Sequence, residues 1–166
     1  LVRGQSGLPD FHDIPGVDHD PDLTWIDRAT AESRILGQEL LFEPGTDRQH
    51  SHSAWVLLAA IVERVSGRSY GEFLRDSFFD PMGMARTGLY SWVNRFPETD
   101  VAVGRGGQIV GERNSPVHWG QTSWLVMGSG GMVSTAKDLY TFAHEIRFGD
   151  YLSAETRKMY AMDQAG

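Results

Sequence analysis

Cysteine is missing from all 166 residues. That excludes disulfides, thiolate-ligated zinc and a Cys nucleophile, and it leaves the compartment open because many exported proteins also lack disulfides. Lysine is scarce, with Lys137 and Lys158 the only two. Basic charge is in deficit, 15 Lys and Arg against 22 Asp and Glu for a net charge of −7. The chain therefore has none of the positive footprint that nucleic acid or an anionic membrane surface demands. Long apolar runs are lacking too: the longest, AWVLLAAIV, falls well short of the ~18 residues of a membrane span. The opening LVRGQSGLPD has no signal-peptide plan. It starts without Met on an apolar pair and a turn, as an internal stretch of a longer protein would.

What the sequence has in excess is glycine, 19 residues against a usual share of ~7%, which implies many tight turns. A chain of this length buries roughly 68–70% of its unfolded surface on folding, enough for a single domain over 1–166. Residues 1–23, rich in Gly, Pro and Asp, read as loop. From Leu23 to Leu41 the apolar positions Trp25, Ile26, Ala29, Ile35 and Leu36 fall near helical spacing, with Asp22 or Thr24 as cap. Ala54 to Val65 predicts a helix apolar on nearly every face and therefore central, capped by Ser51 or Ser53 and ended by Gly67. Ser69 and Glu72 form a capping box for a helix that packs by Tyr70, Phe73, Leu74 and Phe78 and stops before Pro81. Two β-prone runs around Gly106-Gly107 predict a hairpin. Thr135 with Asp138 predicts a second capping box ahead of Leu139, Phe142, Ala143 and Ile146, and Ser153 starts a last short helix to about Met162.

Four clusters could carry chemistry. Asp10, Asp13, Asp18, Asp20 and Asp22 with His12 and His19 offer cation ligands. As a calcium loop counted from Asp18, however, the sharp-turn position is Leu23 rather than Gly and the last position is Ala29 rather than Glu. His50 and His52 form a His-x-His pair for which no spacing supplies the further ligands zinc wants, so no metal or cofactor is expected. Ser129 misses the nucleophile-elbow pattern because Met127 stands where Gly is needed. Ser134 and Lys137 match Ser-x-x-Lys, a spacing that lets the amine take the hydroxyl's proton, but they also sit where a helix cap belongs. With two lysines in the chain, a Ser-x-x-Lys dyad is either this pair or lies outside these residues. His50, Ser51 and His52 stand at the mouth of a helix, where unpaired N–H groups favour developing negative charge. On chemistry alone they read as caps or catalysts.

The motifs SGLPD, FEPGT, WVLLAAIVERVSGRSYGEFLRDSFFDPMGMARTGLY and GSGGMVSTAKDLYTFAHEI, in this order, resemble the serine β-lactamase and DD-peptidase superfamily in its class C-like branch with esterases and penicillin-binding proteins. The resemblance runs from about residue 5 to residue 147. It implies a serine hydrolase that attacks an amide or ester carbonyl through an acyl-enzyme, using Ser-x-x-Lys, Tyr-x-Asn and Lys-Thr-Gly or His-x-Gly motifs. The first would precede residue 1 and the third would follow residue 166. The middle one, usually Tyr-Ser-Asn after PGT, is replaced by HSH, with His50 at the Tyr position, His52 at the Asn position and Ser51 as a substrate contact. An imidazole can accept and donate a proton. The same replacement would also suit a catalytically eroded binding or scaffold protein, the alternative reading.

The fold the resemblance implies is helix-rich α+β with little sheet, the helical lobe of the β-lactamase/transpeptidase-like fold, as a partial domain lacking its first and third motifs. The partner implied is a small-molecule or peptide substrate, with no nucleic acid and no membrane span. The bacterial cell envelope or secretion is the implied location. The resemblance also treats the residue at Lys137 as variable, which favours the capping role for Ser134 and Thr135.

Overall fold

Residues 1–13, 25–95, 97, 100–102 and 120–163 are described by the computed structural model. The hairpin expected around Gly106-Gly107 lies outside them, as do Asp18, His19, Asp20, Asp22 and Thr24.

Helix α2 (His52–Ser66) starts where its sequence stops it from starting earlier. Ser51 is extended, with φ −148° and ψ 114°, and its hydroxyl accepts the N–H of Ala54, which relieves one unpaired donor of the first turn. Ser51 and not Ser53 is therefore the cap; the Ser53 hydroxyl is buried with no hydrogen-bond partner among the described residues. Gly67, in the left-handed conformation, ends the helix by donating to Glu63 O. The face turned inward carries small residues: Ala54, Val56, Ala59 and Ala60 are buried. The expectation of a helix enclosed on every side fails, because Trp55, Ile61 and Val65 are exposed, the last at 83%. The inward stripe at helical period suffices to hold one face, and the other lies open.

Helix α1 (Arg28–Leu36) is shorter than the 23–41 reading, and its cap is Asp27, whose carboxylate accepts the N–H of Thr30. Both ends are set by distant partners. Before it, Ile26 donates to Ser123 Oγ at 3.3 Å and accepts from Trp124 N at 3.0 Å, a strand-like pairing that excludes helix there. After it, Leu41 N is committed to Gly7 O. The core face is Ala31 and Ile35, while Ala29 and Leu36 are exposed.

Helix α3 (Tyr70–Leu74) opens with the predicted capping box of Ser69 and Glu72 and continues as a π turn over Arg75–Phe79 before Pro81. One carboxylate joins three helices. Glu63 of α2 accepts from Arg28 of α1 at 2.9 Å and from the first backbone N–H of α3, that of Tyr70, at 2.7 Å.

The sheet is small: β1 (Gly88–Leu89) pairs antiparallel with β2 (Met132–Val133) in the register Gly88 to Val133 and Leu89 to Met132. The architecture of the described residues is thus helix-rich with a two-stranded sheet. Helix α4 (Ala136–Phe148) starts at Thr135, whose hydroxyl accepts the N–H of Asp138. The Asp138 carboxylate, buried, accepts instead from Arg86 N and Thr87 Oγ1, each at 2.9 Å. It pins the turn ahead of β1 onto α4, and the predicted core face shifts accordingly. Asp138 and Ile146 are buried, Phe142 is half-buried against Phe78, and Leu139 and Ala143 face solvent. Replacing Asp138 by Ala strands two donors, and a lower midpoint in urea is expected, corresponding to about 2–4 kcal/mol. Helix α5 (Ala154–Asp163) begins at Ser153, whose hydroxyl accepts Thr156 N. No helix among the described residues is long and apolar enough to cross a membrane.

Candidate functional site

The first thirteen residues reach the mouth of α2 through a backbone ladder. Gln49 N donates to Gly4 O, Gly45 N to Gln5 O and Leu41 N to Gly7 O, all at 2.8–2.9 Å. The ladder closes tightly at Gly7, where φ is +73° and an added Cβ would lie 2.2 Å from Phe42 O. Beyond it Leu8 and Phe11 enter the core. Their anchoring holds Asp10, between them, against the first turn of α2.

Asp10 is 8% exposed and fully engaged. Its Oδ2 accepts the backbone N–H of His52 at 2.9 Å and lies 2.7 Å from His52 Nδ1, while its Oδ1 accepts His12 N at 3.1 Å. Burial pushes the carboxyl up, but the N–H groups of His52 and His12 and the His52 ring outweigh burial and hold Asp10 below its ordinary 3.8. Ionised, it can only accept, so the His52 proton facing it is on Nδ1, and in the neutral ring the lone pair is then on Nε2.

Two imidazoles, of His12 and His52, gather at this carboxylate, and that of His50 stands beside the second. The rings of His50 and His12 each stand edge-on to that of His52 with centroids 4.7 Å apart. His52 keeps 34% of its side chain exposed, and His50 is exposed. His50, Ser51, Ala54 and Trp55 line an open groove of about 300 Å³ together with Arg3 and Arg48. The two sequence-predicted histidines are thus side by side and reachable from solvent, and His50 is the one that lines the groove. Ser51, which also lines it, has its hydroxyl buried, donating to Pro9 O at 3.3 Å and accepting from Ala54 N.

The other candidates are engaged elsewhere. Ser134 Oγ pairs with Thr87 Oγ1 at 2.8 Å, while Lys137 is on the exposed side of α4. Ser129 donates to Leu125 O at 3.3 Å. Asp10 is the residue that sequence reasoning placed in an acidic loop rather than in the site. Its partner is 42 residues away, and the only sequence signal was its position closing SGLPD.

Three comparisons bear on this arrangement. The family model described as Beta-lactamase matches residues 1–165. Penicillin-binding protein 4* of Bacillus subtilis (strain 168) is 26% identical over 168 residues, covering 95% of this chain and 37% of that protein. The D-aminopeptidase of Gluconobacter oxydans (strain 621H) is 31% identical over 110 residues, covering 66% of this chain and 21% of the relative. This chain therefore spans well under half the length of either. Among solved structures, the D-stereospecific amidohydrolase of Streptomyces sp. has a TM-score of 0.75 at 18% identity, over 94% of this chain and 48% of that one, which is a likeness of fold. The family match takes in the ladder, the histidine pair and every helix that positions them, and the chain belongs to the beta-lactamase family.

Proposed function

We propose that residues 1–166 are the helical lobe of a serine hydrolase, and that His50 and His52 act at its active-site cleft in the places usually taken by the Tyr and Asn of the family motif. The nucleophilic Ser and its Lys are then supplied by chain preceding residue 1, and the strand bearing the third motif by chain following residue 166. Its short coverage of both curated relatives supports this partial-domain reading. The observation that carries the assignment is the hydrogen bond of 2.7 Å between Asp10 and His52, whose ring stands edge-on to that of His50, a residue that lines the groove.

In the first half-reaction the Ser Oγ bonds to the carbonyl carbon and its proton passes to a base. The C–N or C–O bond breaks, and the amine or alcohol leaves with a proton. In the second half-reaction, water attacks the acyl-Ser ester, and the acid is released as the Ser regains its proton. With Nδ1–H held by Asp10, the lone pair on His52 Nε2 accepts the proton of the attacking oxygen in each half-reaction, Ser Oγ and then water, and passes it to the departing group, the amine or alcohol and then Ser Oγ. His50 supplies a second imidazole beside it. Ser51 keeps the two histidines in register through its cap and lines the substrate groove. That the Gluconobacter relative is a D-aminopeptidase makes D-aminoacyl peptides and amides the first substrates to try. The relatives also make the cell envelope or secretion the favoured location.

The complete gene product, treated with a fluorophosphonate and with a fluorescent penicillin, is expected to take up one covalent label on a Ser outside residues 1–166, located by mass spectrometry. Absence of any label, with no turnover of D-aminoacyl amides, would leave the eroded binding-protein alternative standing in its place. A label on Ser134 would overturn the placement of the nucleophile.

A further inference from the structure

We propose that Asp10, His12 and His52 form a binding site for a divalent transition-metal ion, with Zn²⁺ the ion that best fits the donors. Each residue offers one ligand atom, and the three atoms all lie within 4.8 Å of one another. Neither the acidic loop nor the His-x-His pair is adequate alone. The fold takes a carboxylate and an imidazole from the first and an imidazole from the second.

The donors are held by backbone as well as side chain. Asp10 is fixed in orientation by N–H groups of both histidines, and the ladder from Gly4 to Gly7 fixes its segment relative to α2. Two ligands at ~2.0–2.1 Å from a four-coordinate ion lie about 3.3 Å apart. The 2.7 Å between Asp10 Oδ2 and His52 Nδ1 therefore asks the pair to open by a few tenths of an ångström. His12 is on the short 3₁₀ turn Phe11–Asp13 with its ring 4.7 Å from that of His52, so a rotation of this exposed side chain is what would close the wider separations. Two imidazoles and one carboxylate are the donor set that suits zinc, with a remaining position for water. Mg²⁺ prefers oxygen ligands and near-octahedral geometry. The Asp10 charge also offsets the unfavourable placement of a cation beside the N-terminus of α2.

This inference does not rest on hydrolase activity, although an ion at this place would take the His52 ring out of proton transfer. The test is isothermal titration of the complete gene product, purified without a His tag and stripped with EDTA, with Zn²⁺ at neutral pH. One equivalent is expected to bind, with His12→Ala weakening the affinity at least about tenfold and His144→Ala, outside the cluster on α4, leaving it unchanged. His12 is exposed, so its variant folds, and circular dichroism verifies this. Mg²⁺ in excess is not expected to compete. No uptake of Zn²⁺, equal uptake by the His12→Ala chain, equal weakening by His144→Ala, or full competition by Mg²⁺ would each overturn the site. None of these readings involves turnover, so failure here leaves the proposed hydrolase function standing.

Discussion

His52→Ala in the complete enzyme is expected to slow acylation of the nucleophile by about 10²- to 10⁴-fold, the range over which a positioned general base contributes. The expectation follows from the tautomer. The Asp10 carboxylate, ionised and engaged with Nδ1 at 2.7 Å, leaves Nε2 as the accepting nitrogen, and no Ala can stand in for it. His52→Asn separates two roles. Asn restores the family's residue at this position and can orient a substrate, but it takes no proton. Near-normal acylation in His52→Asn would assign orientation to this position, while loss comparable with His52→Ala assigns proton transfer. In this proposal Asp10 is a positioning residue. Asp10→Asn is expected to lower kcat while KM stays near its original value, because the single amide oxygen keeps one of the two backbone N–H bonds while the NH2 in place of the other oxygen no longer fixes the ring's tautomer. The rate of labelling by a fluorophosphonate and kcat/KM on a D-aminoacyl amide are the measurements. Unchanged values in His52→Ala would remove this histidine from the mechanism.

Gly7→Ala is expected to cost the 166-residue chain about 2–5 kcal/mol, and to lower its thermal midpoint in circular dichroism by roughly 10 °C. Two terms add. The left-handed conformation at φ +73° costs an L-residue about 1–2 kcal/mol, and forcing atoms into a filled space costs about 1–3 kcal/mol more. Here the obstructing atom is the backbone carbonyl of Phe42, 2.2 Å from the added Cβ, and a peptide cannot rotate away as a side chain would. Gly83 provides the control. Its φ is also positive, +68°, but nothing lies within 4 Å of its added Cβ, so Gly83→Ala carries the first term alone. If the two variants melt together, the close approach at Phe42 contributes nothing and the ladder is looser than described.

Helix starts were legible from the sequence where the information was local. Ser51, Ser69, Thr135 and Ser153 each accept a backbone N–H three residues on, and a cap of that kind needs nothing from the rest of the chain. Gly67 stopped α2 for the same reason. The bounds of α1 were misread although its cap, Asp27, is local: the flanking segments that a longer helix would have used are held by Ser123, Trp124 and Gly7, residues no local window contains. Strands β1 and β2 were missed because two residues each carry no alternation to read. At α4, four apolar residues at helical spacing pointed to the core, but the buried Asp138 turned the helix so that Leu139 faces water. Its carboxylate pairs with Arg86 and Thr87, a demand that polarity scales do not anticipate. Of the proposed site, the histidines are suggested by family resemblance alone. Asp10 is not, because an acidic residue in a loop says nothing of which distant ring it meets.

The 42-residue separation between Asp10 and His52 bears on the order in which the molecule comes together. Helices α2 and α3 are chain neighbours joined through Glu63 and Tyr70, so they can dock at little cost in loop closure, whereas the histidine cluster must wait for the opening segment to return and seal the first turn. The corner that holds the histidines is thus expected to assemble last and to open first. Such an opening is expected to be local, leaving the helical pair intact while the histidines leave register.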